Sequence, residues 1–124
     1  VTRSRASAKQ AGAAFERKIA DYLAETIDDR IDRRVKTGAK DRGDIAGLRH
    51  MGQRIVLECK DYGGRLEPVA WTTEAQVEAA NDDALAGFVV AKRRGTTDPS
   101  KQWFIGTLAD FVALINGEHP NPGF

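Results

Sequence analysis

Apolar positions recur along the chain with two different periods. Phe15, Ile19, Tyr22, Leu23 and Ile27 follow the i, i+4, i+7, i+8 spacing of one helical stripe. This predicts a helix from around Lys9 to near Asp28 and Asp29. Gly12, Ala13 and Ala14 keep its first turns slim. Residues 1–8 are small, polar and basic and read as a flexible arm. Residues 31–36 alternate loosely and are rich in arginine, as an edge strand would be. Residues 37–43 form a loop, and residues 44–48 a short strand. Met51 and Gly52 mark a hairpin turn, and residues 54–60 are the clearest strand, with Ile55, Val56 and Leu57 in succession.

Beyond that strand, Gly63 and Gly64 mark a loop over residues 61–65. Pro68 suits the first turn of a helix, where its missing N–H is not needed. That helix is expected over residues 68–81, with Val69, Trp71, Ala75, Ala79 and Ala80 on its buried side. Residues 85–91 read as a buried strand and residues 93–100 as a loop. Residues 102–107 read as the last strand. Leu108, Phe111, Val112 and Ile115 fall at i, i+3, i+4 and i+7 and predict a final helix, stopped by Gly117, Pro120 and Pro122. The expected organisation is one α/β domain over residues 9–117, a central mixed β-sheet flanked by helices, with an irregular tail over residues 118–124.

Composition changes this picture little. The 124 residues are 41% hydrophobic and 30% charged, as in an ordinary soluble globular protein, and the net charge is +1. The distribution of charge is more informative. Residues 1–10 carry three bases and no acid, residues 30–42 six bases against two acids, and Lys92, Arg93 and Arg94 form a third cluster. Such patches bind phosphates even at a neutral total, although charge runs also serve as plain solvated faces. The single Cys59 cannot form an internal disulfide, and no apolar run approaches membrane-spanning length. A reducing, cytoplasmic setting without membrane contact is therefore expected.

The chemistry concentrates between Arg42 and Lys60. In a hairpin turning at Met51 and Gly52, the seven residues from Asp44 to His50 oppose those from Gly52 to Glu58, so Asp44 and Glu58 come together. Two carboxylates on neighbouring strands suit Mg²⁺ or Mn²⁺, with the Cys59 backbone carbonyl as a further oxygen. Glu58 and Lys60 share a strand face, which puts an ammonium beside an attacking water. An acid and a base at alternate strand positions also make ordinary ion pairs, so the triplet alone decides nothing. His50 and His119 lack zinc-like spacing and read as surface or turn residues.

Three stretches carry a family resemblance. GDIAG at 43–47 is similar to the first metal-aspartate motif of the PD-(D/E)xK nuclease superfamily, with Gly43 where a proline often stands. IVLECK at 55–60 resembles its second motif. GAAFERKIADYL at 12–23 resembles the first helix of archaeal-type Holliday junction resolvases. The resemblance spans roughly residues 9–93. It implies a restriction-endonuclease-like three-layer core, Asp44 and Glu58 as metal ligands, Lys60 as the catalytic lysine and Glu16 as an accessory acid. Gln76 is a possible accessory residue, although the tyrosine that follows such a glutamine in some superfamily exonucleases is replaced by Ala80. Otherwise Gln76 is a solvated side chain or a capping partner for Thr73.

The implied activity is metal-dependent hydrolysis of DNA phosphodiesters, most readily on branched DNA by a symmetric dimer. With no room for a separate target-recognition domain, DNA shape and phosphate contacts would guide binding. Arg3, Arg5, Lys9, Arg33, Arg34, Lys36, Lys40 and Arg42 are the candidates for those contacts. Trp103, Phe104 and Phe111 would supply either a dimer interface or core. Another repair, nicking or phage-related nuclease of the superfamily, or a non-catalytic DNA-binding module, are the competing readings.

Overall fold

The helical stripe at the N-terminus forms helix α1 (Arg5–Thr26), which begins earlier than the apolar spacing implies. The Ser4 side chain accepts a hydrogen bond from the Ser7 N–H, and this N-cap starts the helix at Arg5. Residues 5–8, read from sequence as arm, are therefore helical. The computed structural model describes residues 3–35 and 42–121. Phe15 and Ile19 are buried on α1, whereas Ile27 is its C-cap and is exposed.

Short strands β1 (Asp32–Arg33) and β2 (Ile45–Ala46) pair antiparallel. Strand β3 (Arg49–His50) turns through Met51 and Gly52 into the long β4 (Gln53–Lys60), so the hairpin lies where its turn residues place it. Helix α2 (Pro68–Asn81) then crosses over to β5 (Ala86–Ala91), which runs parallel to β4. A 3-10 turn (Pro99–Lys101) precedes β6 (Trp103–Ile105), antiparallel to β5, and α3 (Leu108–Asn116) closes the order. The main sheet has the order β3-β4-β5-β6 and is mixed.

The alternation of β4 distributes the core. Ile55 and Leu57 pack with Phe15 and Ile19 of α1, Phe88 of β5 and Ala113 of α3. Val56 points to the other face, against Ala79 of α2, where Trp71, Ala75, Val89 and Ala91 form a further cluster. Helices thus cover both sheet faces, a mixed α/β architecture. Burying a side chain such as Leu57, 2% exposed, contributes about 2 kcal/mol.

Gly87 sets how closely α2 approaches. A Cβ there would lie 2.4 Å from the Ala75 carbonyl oxygen, so only glycine lets the helix pack this close to β5. The buried side of α2 agrees with the expected one only in part. Trp71, Ala75 and Ala79 are buried as predicted, but Val69 and Ala80 are exposed, and Glu78 is buried in their place.

The C-terminal region also departs from expectation. His119 is not a surface residue: its Nε2 lies 2.8 Å from Asp110 Oδ1, and its side chain is 7% exposed. Asp110 accepts as well from the Gly87 N–H (2.9 Å), which ties the start of the tail to the sheet through α3. Trp103, Phe104 and Phe111 are exposed rather than core, although Phe104 stacks on Phe88 with ring centroids 4.7 Å apart. No helix among the described residues is long and apolar enough to cross a membrane.

Candidate active site

Asp44 and Glu58 adjoin, but not by the expected pairing: β2, just after Asp44, pairs with β1 instead of β4, and the hairpin register (Arg49↔Arg54, His50↔Gln53) is one residue off the count that sets Asp44 opposite Glu58. The Asp44 N–H donates to the Leu57 carbonyl (3.0 Å), and Asp44 Oδ2 accepts from the Cys59 N–H (2.8 Å). Asp44 is therefore clamped across β4, next to Glu58. Gly43 makes this approach possible. Its φ of +94° is closed to proline, whose ring holds φ near −65°, and a Cβ there would lie 3.0 Å from Val56 Cγ1. The glycine that departs from the resembled motif thus has a local reason.

Glu58 is 2% exposed, and its Oε2 meets no hydrogen-bond donor among the described residues. Burial pushes its pKa well above the ordinary carboxylate value, and the adjoining carboxyls of Glu78 and Asp44 push it further the same way. Ionised carboxylates offer each other only acceptors. The cluster therefore needs either a shared proton or a cation.

Lys60 projects from the same strand face. Its Nζ lies 3.0 and 3.2 Å from the two carboxylate oxygens of Glu74 on α2. Burial works against its charge, but the hydrogen bond to Glu74 and the charges of Glu74 and Glu58 outweigh burial, and the pKa moves up. Lys60 is thus a fixed ammonium, suited to stabilising negative charge rather than to abstracting a proton.

These groups open onto a cleft of about 740 Å³, lined by Glu16, Asp44, Glu58, Cys59, Lys60 and Glu74 among others. Glu16 reaches it from α1, with its Oε1 held by Arg33 (Nη2 at 3.1 Å). Arg3, Asp61, Tyr62 and Arg65 also line the cleft. Arg3 pairs with Asp61 at 3.2 Å, and the Arg65 guanidinium stacks 5.2 Å over the Tyr62 ring, itself edge-on to Trp71.

The other sequence candidates are dispersed. Arg5 and Lys9 are exposed on the first turns of α1. Arg34 and Arg42 turn instead to Asp82, at 3.9 and 3.8 Å. Lys36 and Lys40 lie outside the described residues. Gln76 donates to Thr107 Oγ1 at 3.5 Å and is not among the residues lining the cleft. Because α2 starts at Pro68, Thr73 is no helix cap for it to partner.

Sequence reasoning missed Glu74 and Glu78. Together with Glu58 they place one carboxylate oxygen each within 4.8 Å of one another. A signal was present: Glu78 stands at i+7 from Trp71 within the apolar stripe of α2, and Glu74 lies one turn before it on the same side. Comparison of the chain with protein-family models, with curated proteins and with solved structures returns no match.

Proposed function

We propose that this chain is a Mg²⁺- or Mn²⁺-dependent DNA endonuclease with a PD-(D/E)xK-type, restriction-endonuclease-like core, acting on branched DNA as a Holliday junction resolvase does. The observation that carries this reading is Glu58. A carboxyl buried to 2% exposure, with one oxygen short of a donor and with other acids for neighbours, lines an open cleft beside a fixed ammonium. A purely structural ion pair would place a base against that carboxyl; here the base, Lys60, is taken by Glu74.

The donor set fits a hard divalent cation, with Asp44, Glu58 and the Cys59 carbonyl as the oxygens that would hold it. When bound, such a cation supplies Lewis acidity and a more acidic water. The chain supplies the rest. Lys60 presents an N–H donor and a positive charge to a phosphate in the cleft. Glu16, steadied by Arg33, adds a carboxylate on the α1 side to orient water. Arg3 and Arg65 at the mouth draw in the phosphate backbone.

The resolvase reading brings a symmetric dimer with it. It is supported by the apolar surface at the sheet edge, where Trp103, Phe104, Leu108 and Phe111 are exposed on β6 and α3. Sedimentation at micromolar concentration should give twice the chain mass, and a monomer there removes the dimer.

The deciding experiment presents junction, flap, duplex and single-stranded DNA with Mg²⁺. Symmetric paired nicks in the junction arms are expected. Cleavage of duplex or flaps alone would replace the resolvase assignment with another nuclease of the superfamily. Asp44→Asn should abolish cleavage while leaving junction binding and folding intact. Binding without cleavage, unchanged in Glu58→Ala, would refute the enzymatic reading altogether.

A further inference from the structure

One wall of the cleft is aromatic. Tyr62 follows Lys60 by two residues, a distance over which an extended chain spans at most about 7 Å. A nucleic-acid strand advances about 3.4 Å per nucleotide. Tyr62 therefore stands within about two nucleotides of a phosphate held at Lys60. Its side chain is 44% exposed and lines the cleft together with Lys60, Asp61 and Arg65.

This exposed ring is braced. Trp71, buried between α2 and the sheet, meets it in T-shaped geometry with ring centroids 5.1 Å apart. The Arg65 N–H donates to the Tyr62 carbonyl (3.2 Å) and closes a turn, and the Gly63 N–H donates to Asp61 Oδ1 (3.0 Å). Asp61 is held in turn by Arg3, whose Nη1 donates to its carbonyl oxygen (3.1 Å). A ring fixed before binding loses little freedom when a flat ligand stacks on it.

The face of the ring is reachable. The Arg65 guanidinium lies 5.2 Å over it, as a cation does over an electron-rich π surface. Its carboxylate partner, Glu67 at 3.1 Å, forms an exposed pair with it, so the guanidinium moves aside at little cost. Contacts from Arg3 and Lys60 to phosphates do not tell interrupted DNA from continuous DNA. A stacking face does. A continuous duplex gives up a base only by unstacking it, whereas a base at a branch point has already lost a neighbour.

We infer that Tyr62 is a nucleobase-stacking platform beside the scissile phosphate, braced by Trp71, with Arg65 covering its face until a base from an interrupted stack takes that place. That the ligand is DNA rests on the nuclease reading. The platform supplies what phosphate contacts lack, a means of telling branched DNA from continuous duplex. The displaced guanidinium stays at the mouth of the cleft, where it meets a flanking phosphate.

The test uses a four-way junction carrying 2-aminopurine at the branch point, and a continuous duplex carrying it in the same sequence context. Binding is followed in Mg²⁺ in an Asp44→Asn background, so that no cleavage intervenes. The emission of the branch-point base should fall on binding, as it stacks on Tyr62, while the duplex probe stays unchanged and binds more weakly. Adding Tyr62→Ala should abolish the quenching and weaken junction binding at least about fivefold, as loss of one stacked base does, with duplex binding unaltered. Tyr62→Phe should behave as the parent. Tyr62→Leu keeps apolar bulk against Trp71 without a π face, so it should melt with the parent and bind as Tyr62→Ala does.

Equal weakening of junction and duplex binding in Tyr62→Ala, an unquenched branch-point base in the parent, or a Tyr62→Leu that binds as the parent does would each overturn the platform. If Tyr62→Ala alone still cleaves junctions with undiminished preference over duplex, the platform falls and the nuclease reading stands. Quenching and junction preference that depend on Tyr62, in a chain whose wild type cleaves no DNA, support the platform and remove the nuclease reading. No binding to either DNA overturns both.

Discussion

Two groups of buried carboxylates lie about one helical turn apart along α2, and they are treated in opposite ways. Asp82, 5% exposed at the end of the helix, is met by arginines: Arg54 at 3.3 Å, Arg42 at 3.8 Å and Arg34 at 3.9 Å. Arg54 also donates to the Asp82 carbonyl. Glu58 and Glu78, buried as deeply, adjoin each other and Asp44. Among the described residues, arginines gather around Asp82, whereas Glu58 has the acids Glu78 and Asp44 for neighbours. Asp110 makes the same point from α3: wholly buried, it is met by His119, Thr107 and the Gly87 N–H. Hydrogen bonding alone does not separate the two groups, since Asp82 Oδ2 lacks a hydrogen-bond partner just as Glu58 Oε2 does; what differs is the arginine charge gathered around Asp82.

This contrast can be broken first at Asp82. Asp82→Ala would leave Arg34, Arg42 and Arg54 without their anion and should destabilise the fold by about 1 to 2 kcal/mol, less than for a fully buried pair because the arginines are themselves partly exposed. Urea unfolding reads the result directly. A neutral outcome would mean that the arginines are solvated and that Asp82 does not differ in kind from Glu58.

Glu58→Gln should act in the opposite direction. Without metal, the neutral amide removes a buried acid whose ionisation is unfavourable, and a stabilisation of about 1 kcal/mol is expected at pH 8. The pH dependence follows from the raised pKa of Glu58. The folded state keeps a proton that the unfolded state releases near pH 4.3, so this contribution is fully present below that pH. It is lost progressively as pH rises from there toward the folded pKa. In EDTA, wild type should therefore lose stability from pH 5 to 8 more steeply than Glu58→Gln, and added Mg²⁺ should reduce the difference. Parallel profiles for the two proteins would place the proton elsewhere.

The smallest effect sharpens the comparison at the rim of the cleft. Arg33→Ala breaks a partly exposed pair with Glu16 and should change stability by only about 0.5 kcal/mol. Cleavage should fall several-fold, since Glu16 would no longer be held at the cleft. Equal, small changes in both measurements would reduce Glu16 to a surface partner of Arg33.

Much of this arrangement was legible in the chain. Pro68 marked the start of α2, and Met51 with Gly52 marked the hairpin turn, because both signals act through backbone conformation within a few residues. Counting from the turn placed Asp44 near Glu58, although the observed register is shifted by one residue and β2 pairs with β1 instead of β4. Lys60 followed from the two-residue period of a strand. Ser4 was overlooked because a helix cap carries no apolar rhythm, and the two-residue β1 was overextended because loose alternation does not set a strand's length.

The sequence by itself therefore determined the order of elements, the hairpin and the three side chains that the hairpin aligns. The buried side of α2 at Trp71, Ala75 and Ala79 was legible in the chain as well, but only the tertiary structure decided that Glu74 and Glu78, beside that stripe, converge on Glu58. It also decided which arginines face the cleft and which surround Asp82. Charge along a chain says how many cations are present; their partners are chosen by packing, where burial makes each unpaired charge too costly to leave to chance.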